Sequence, residues 1–227
     1  MIGHEDPRTL MISLADGSIL SFKRKEVHVD ISREKELKER YGDVHKAMAP
    51  DYESEEALAA GYFEMVREVF SRDGCHLPFV FLFRGKKLIK MLPAPAETRA
   101  QKYLLMRHLA NEAARFGADA AIYVGEAWRA PAAGLARYQY AEDSENREEA
   151  LVLTLVTKEG EPVQFFAAIN REGDEVSLGE TQQVRGGAHF MFAPFYEAWG
   201  RPRPEQWLAT IRSMYGDAAG SDTETDE

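Results

Sequence analysis

Two long apolar segments near the middle of the chain constrain its fold more than any other feature. The segments ALVLTLVT (150–157) and PVQFFAAIN (162–170) are separated by the polar residues 158–161. Apolar runs rich in β-branched and aromatic residues, bounded by turn residues, are typical of paired β-strands. The turn at 171–174 then leads into EVSLGETQQV. The sequence therefore predicts a three-strand meander in the C-terminal half.

Further strands are predicted on the N-terminal side of this meander. TLMISL and SILSF flank Asp16–Gly17, a dipeptide typical of tight β-hairpin turns. Residues 76–83 and 87–92 form two more strand candidates joined by a short polar turn. Residues 120–124 are entirely apolar and closely follow a predicted helix, which favours a central position in the sheet.

Apolar residues at helical spacing predict about four helices. The pattern covers residues 32–48, the stretch from Ser54 to the turn at 73–74, the stretch 98–116, and residues 203–215. Ser54 is a good N-cap, because its hydroxyl can accept a backbone N–H of the first turn. We therefore predict an α+β fold, with these helices packed on a mixed, largely antiparallel sheet.

Composition indicates the domain organisation of the chain and the cellular compartment in which it is expected. Its 227 residues are 44% hydrophobic and 29% charged, as in ordinary globular proteins. We expect a single domain over residues 1–215, in which residues 1–50 are a candidate N-terminal appendage. Cys75 is the only cysteine, so no disulfide can form within the chain, and a reducing, cytoplasmic setting is expected. The longest apolar runs are too short to span a membrane.

The net charge of −10 is unevenly distributed. Residues 216–227 contain five acids and no base, so −10 minus −5 leaves −5 for the rest of the chain. We predict that this acidic tail is disordered, since it lacks the apolar residues that would offset the entropy of ordering. A mildly acidic body makes nucleic acid an unlikely partner, because non-specific binding to phosphates requires clustered Lys and Arg.

Motifs that define the common catalytic sites are absent from the sequence. It contains neither the Gly-rich nucleotide-binding loops nor HExxH or GxSxG, and no metal site or cofactor is predicted. The most unusual acid is Glu126, which would share an apolar strand face with Ile122 and Val124. A carboxylate in such a place must be paired, hydrogen-bonded or protonated, and it is a functional candidate. Its neighbours Trp128 and Arg129 are candidates for binding a ligand or partner.

Two further segments contain candidate residues. Arg147 lies in an acidic stretch, residues 142–149, where it could bind an anion; a solvated loop is the alternative interpretation. Aromatic residues follow Gly186–Gly187, and Phe195 and Trp199 among them are candidates to anchor a partner, although packing in the core is the commoner reason for such residues. His189 belongs to the same segment.

Two functional hypotheses remain, and the sequence leaves open whether the protein is an enzyme. The first is a non-catalytic binding or regulatory module that recognises a protein partner or a small ligand. The alternative is a small hydrolase or transferase in which Glu126 is a general base or metal ligand, assisted by Arg147 or His189. An exposed sheet edge would also be compatible with a homodimer.

Overall fold

The chain divides into two compact units, residues 1–42 and 43–227. The computed structural model describes residues 9–13, 19–23, 39, 51–96, 99–130, 141–173, 175–186 and 190–203. In the first unit, strands β1 (Thr9–Ser13) and β2 (Ile19–Lys23) pair antiparallel. The predicted Asp16–Gly17 turn between them lies outside the described residues.

The second unit is built on one antiparallel sheet. Its strands are β3 (Phe79–Arg84), β4 (Lys87–Pro93), β5 (Ala120–Arg129), β6 (Glu148–Thr157), β7 (Val163–Glu172), β8 (Glu175–Leu178) and β9 (Gln182–Arg185). They run in the order β4-β3-β5-β6-β7, and both β8 and β9 pair with the outer edge of β7. Every pairing between described strands is antiparallel, so the prediction of a mixed sheet was wrong for this part of the chain. The helix between β4 and β5 does connect parallel strands, but β3 lies between them.

Strand β5 occupies the central position that its apolar sequence predicts. It pairs with β3 on one side and with β6 on the other. The strand is ten residues long and continues to Arg129, well past the apolar segment that marks it in the sequence. This extension exists because β6 pairs with β5 as far as Arg129, which lies opposite Glu148.

The third strand of the predicted meander is divided in two. Ile169 of β7 lies opposite Leu178, and Phe166 lies opposite Gln182. Two residues of β7 therefore face three residues, 179–181, which is the pattern of a β-bulge. The Gly179 N–H still donates a hydrogen bond to the Ala168 carbonyl at 2.8 Å.

Three α-helices occur within the described part of the chain: α1 (Glu55–Asp73), α2 (Arg99–Phe116) and α3 (Ala193–Ala198). Ser54 caps α1 as predicted, because its hydroxyl accepts the Ala57 N–H at 3.0 Å. The prediction of about four helices included 32–48 and 203–215. Apart from residues 39 and 203, those two ranges lie outside the described residues. The short helix α3, within the aromatic segment, was not predicted.

The helices cover both faces of the sheet. On the face covered by α1, the buried side chains include Phe81, Ile122 and Leu153. The opposite face, covered by α2 and α3, buries Val80, Tyr123 and Val156. We call these the α1 face and the α2 face. Consecutive strand residues supply opposite faces, so β3, β5 and β6 read as continuous apolar runs. None of the helices described is long and apolar enough to cross a bilayer.

Candidate functional site

The end of strand β5 extends beyond its neighbour β3. The last pair between these strands is Phe79 with Val124, whereas β6 accompanies β5 to Arg129. Residues 125–129 therefore have a strand on one side only. Because side chains alternate, Glu126 and Trp128 lie on the α1 face, together with Val124. This places two of the predicted site residues side by side, near the loop that follows α1.

Glu126 is held by two groups from different parts of the chain. Its Oε1 accepts a hydrogen bond from the backbone N–H of His76 at 2.6 Å, and its Oε2 lies 3.3 Å from Nη2 of Arg171. Arg171 also binds Glu149 with two hydrogen bonds, from Nε at 2.7 Å and from Nη2 at 2.9 Å. We call Glu126, Glu149 and Arg171 the Glu126 cluster. It places one guanidinium between two carboxylates.

The environment shifts the pKa values of the two carboxyl groups in opposite directions. Burial is the largest influence on Glu126 and raises its pKa, and Glu149 adds to this effect; the His76 N–H and Arg171 oppose it. The pKa of Glu149 is lowered, chiefly by the hydrogen bonds from Arg171. A pair with separated pKa values can supply one proton donor and one acceptor, which is the arrangement of many acid–base sites.

The Glu126 cluster also connects four segments of the fold. Arg171 belongs to β7, Glu149 to β6 and Glu126 to β5, while Nη1 of Arg171 donates to the Gly74 carbonyl at 3.3 Å. The cluster therefore holds the loop after α1 against the sheet. The sequence allowed that Glu126 pairs with an arginine, but it did not reveal that Arg171, 45 residues away, is that partner.

Trp128 presents an exposed aromatic surface beside this cluster. Its relative exposure is 46%, although tryptophan is usually well buried. The guanidinium carbon of Arg147 lies 4.8 Å from the centre of the indole, within the range of a cation–π contact. Arg147 also donates a hydrogen bond to the Glu142 carbonyl, which holds it in place. The structure therefore brings Trp128 and Arg147 into contact. Among the described residues, no hydrogen bond or salt bridge joins Arg147 to Glu126, the acid that it was expected to assist.

Arg129 lies on the α2 face, across the sheet from Trp128. Its guanidinium carbon is 3.3 Å from the centre of the Phe166 ring, and its Nη1 is 2.6 Å from Glu148. Burial is the main reason that the pKa of Arg129 is lowered. These contacts hold the ends of β5 and β6 together and thereby stabilise the strand segment that carries Trp128 on its other face.

Phe195 and Trp199 are far from this surface. Phe195 is completely buried on the α2 face, with its ring centre 5.6 Å from that of Trp199. The Trp199 indole N–H donates to the Ala118 carbonyl at 2.8 Å, just before the start of β5, whereas Trp128 lies near the end of that strand. Their contacts are those of core residues. His189 lies outside the described residues.

The sequence did not identify three residues that matter most at this site. Glu149 and Arg171 were part of charged turns, and His76 contributes only its backbone N–H. The available signal was weak: both charged residues lie at strand ends on the same face as apolar residues two positions away. Within the described residues, no group of three or more His, Cys, Asp or Glu side chains is arranged to hold a metal ion.

Comparison with known proteins gives one positive result. Neither the curated proteins nor the solved structures contain a match to this chain. The family model described as bacteriophage lambda protein ea47 matches residues 1–217, which is nearly the whole chain. The chain therefore belongs to the family of bacteriophage lambda protein ea47.

Proposed function

We propose that this protein is a binding module that contacts a partner protein through the exposed ring of Trp128. The observation that carries the proposal is an indole that is 46% exposed at the end of a central strand, with Arg147 lying over its ring. Tryptophan and arginine are the residues most enriched among the energetically dominant positions of protein interfaces. A small aromatic ligand stacking on the same ring is the related alternative.

The surroundings of Trp128 favour binding because they fix the ring before a partner arrives. The strand is paired with β6 up to Arg129, and Arg147 is tied to the Glu142 carbonyl. A side chain that is already ordered loses less entropy on binding, so more of the contact energy contributes to affinity. Arg147 adds a positive charge over the ring, and we infer that the partner carries an acidic group beside it.

The cytoplasm is the proposed location of this interaction. Cys75 is the only cysteine, and its side chain is exposed. A free exposed thiol persists as such in a reducing compartment, whereas an oxidising one favours its conversion to a disulfide.

The proposal is tested by comparing Trp128→Ser with Met91→Ser. Met91 is a matched control because its side chain is also about half exposed, at 52%, but it lies on β4. Tagged full-length proteins are used to capture partners from a lysate of the source cells. Loss of an aromatic interface anchor typically costs about 2 kcal/mol or more, or roughly 30-fold in affinity. We expect the captured protein to be lost with Trp128→Ser and kept with Met91→Ser.

A photo-crosslinking amino acid at position 128 provides the second test. If Trp128 contacts a partner, irradiation yields a covalent adduct from position 128 and none from position 91. Equal adducts from both positions, or a partner retained by Trp128→Ser, would show that the indole is not the contact. Circular dichroism of both Ser variants establishes that the fold is unchanged.

Acid–base chemistry at the Glu126 cluster is the second candidate function. The observation in its favour is the opposite displacement of the Glu126 and Glu149 pKa values. In this version Arg171 replaces Arg147 as the assisting cation. Glu126→Gln keeps the size of the side chain and removes the acid. An enzyme would lose hydrolytic or transfer activity completely in this variant while remaining folded, whereas the binding module would keep its partner.

A further inference from the structure

Positive charge is concentrated in one segment of this acidic protein. Residues 84–116 contain eight Lys or Arg residues and two Glu residues, a net charge of +6. The whole chain carries −10, so the remaining residues carry −16. The segment forms the end of β3, strand β4 and helix α2, at one edge of the sheet. The net charge of the whole chain therefore does not reveal that positive and negative charges are separated along it.

Helix α2 turns basic residues toward solvent along one side. Met106, Leu109 and Ala113 are buried against the sheet. Residues 107, 108, 111, 114 and 115 are exposed and lie within about one third of the helix circumference, given 100° per residue. Arg107 and Arg115 belong to this stripe, two turns apart and with Asn111 between them. Two of the five exposed residues of this side are therefore arginines.

Strand β4 and the β3–β4 turn continue the positive surface. Lys90 is 2.7 Å from Glu112 of α2 and 4.3 Å from the centre of the Phe116 ring, so it joins the strand to the helix. Arg84 donates hydrogen bonds to the Gly117 carbonyl at 3.3 Å and to the Phe116 carbonyl, at the C-terminus of α2. Lys87 is exposed at the start of β4. We call Lys87, Lys90, Arg107 and Arg115 the basic face.

The residues of the basic face differ in whether they form salt bridges within the protein. Lys90 and Arg115 both form salt bridges with Glu112, at 2.7 and 3.4 Å, but the Arg115 side chain is 74% exposed. Neither Lys87 nor Arg107 forms a hydrogen bond or salt bridge with another described side chain. Lys87 and Arg107 are thus available to an anion from outside, and the largely exposed guanidinium of Arg115 can contact such an anion in addition to Glu112.

We propose that the basic face binds the phosphate backbone of duplex nucleic acid without reading its sequence. The large exposed apolar residues of the described chain are Leu77, Met91, Trp128 and Val184, and none of them belongs to α2. Met91 is on β4, but it lies opposite Phe81 and therefore on the α1 face, away from the basic face. A protein interface of ordinary strength needs such an anchor, and single-stranded nucleic acid needs exposed rings for base stacking. Exposed cations without an apolar anchor require of a binding partner only a regular line of negative charge. The proposal is independent of the Trp128 site, which lies on the opposite face of the sheet.

The test measures how salt changes the binding of a fluorescently labelled DNA duplex of about 20 base pairs, followed by anisotropy. Each phosphate contact contributes about −0.9 to the slope of log affinity against log salt, so three contacts give about −2.7. Between about 50 and 200 mM salt, a fourfold change, the affinity should then fall roughly 40-fold. The double variant Arg107→Gln/Arg115→Gln keeps one contact and should show a fall of roughly 3-fold.

A matched control separates the basic face from the net charge of the protein. Lys158→Gln/Arg185→Gln removes the same number of charges from exposed positions in the β6–β7 turn and on β9, and Arg185, like Arg115, forms a salt bridge with one glutamate. It should keep the wild-type salt slope. The proposal is overturned if wild-type protein shows no salt-dependent binding, or if the control double variant loses binding as fully as the α2 variant. All four substituted positions are exposed, so thermal unfolding should be nearly the same for every protein.

Discussion

Tyr62 on helix α1 provides the sharpest quantitative prediction. Its side chain is 1% exposed, and its hydroxyl has no hydrogen-bond partner among the described residues. The ring packs edge-on against Phe81 and Phe83, with centre distances of 5.2 and 5.4 Å. Phenylalanine would keep these ring contacts and remove only the oxygen. We therefore predict that Tyr62→Phe stabilises the protein.

The expected gain follows from the cost of an unsatisfied polar group. Burying a hydroxyl without a partner costs about 1–3 kcal/mol, and part of the gain is offset by the small void that the oxygen leaves. We expect the free energy of unfolding to rise by about 1–2 kcal/mol. For a domain of 150–250 residues this corresponds to an increase in Tm of roughly 2–8 °C.

The pH dependence supplies an independent measurement on the same residue. Burial raises the pKa of Tyr62 from its usual 10.0 to about 12. Because the folded-state pKa is raised, its stabilising contribution is complete below pH 10 and is lost as the pH rises through 12. At about pH 11 the wild-type protein should have lost roughly 1.4 kcal/mol relative to Tyr62→Phe, beyond the difference between them at pH 8.

Urea unfolding followed by circular dichroism measures both effects. Tyr196→Phe is the matched control, since Tyr196 is also buried but its hydroxyl bonds to Arg201, whose guanidinium carbon lies 4.3 Å from the ring centre. Losing that bond should destabilise the protein by about 1–2 kcal/mol. A loss of stability in Tyr62→Phe at pH 8 would refute the reasoning, because it would mean that the hydroxyl is satisfied in solution.

Three further substitutions test other parts of the structure. Glu126→Gln should stabilise the protein at pH 7. Because the pKa of Glu126 is raised in the folded protein, its carboxyl group stabilises the fold below its usual pKa and loses this contribution as the pH rises above it. The gain in the free energy of unfolding should therefore shrink below pH 4, as measured by urea titrations. Ser54→Ala removes the hydrogen bond to the Ala57 N–H and should cost about 1 kcal/mol in chemical unfolding; an unchanged midpoint would mean that the cap contributes nothing. Phe195→Ala should cost about 3–5 kcal/mol, because a completely buried ring leaves a cavity; a cost below about 1 kcal/mol would show that the ring is not part of the core.

Local sequence was sufficient for much of the fold. Ser54, the apolar stripe of α1 and the αL glycine Gly74, with φ of 69°, define a helix whose ends could be predicted because capping depends on neighbouring residues. The apolar run of β5 indicated its central place, since only a strand covered on both faces avoids polar residues. The candidates Glu126 and Trp128 were also recognised locally, from a polar and an aromatic residue on an apolar strand.

Tertiary structure alone decided how these parts meet. Arg171 reaches Glu126 and Glu149 because β5, β6 and β7 are adjacent, and strand order is not encoded in the spacing of residues along one strand. Tertiary structure also places Trp128 and Phe195, each a candidate from the sequence for binding a partner, on opposite faces of the sheet. Packing also joins Lys90 of β4 to Glu112 of α2, so that the basic residues of these two elements lie at the same edge of the sheet. Helix caps and strand faces depend on contacts a few residues apart, whereas ion pairs and surfaces depend on which distant strands become neighbours.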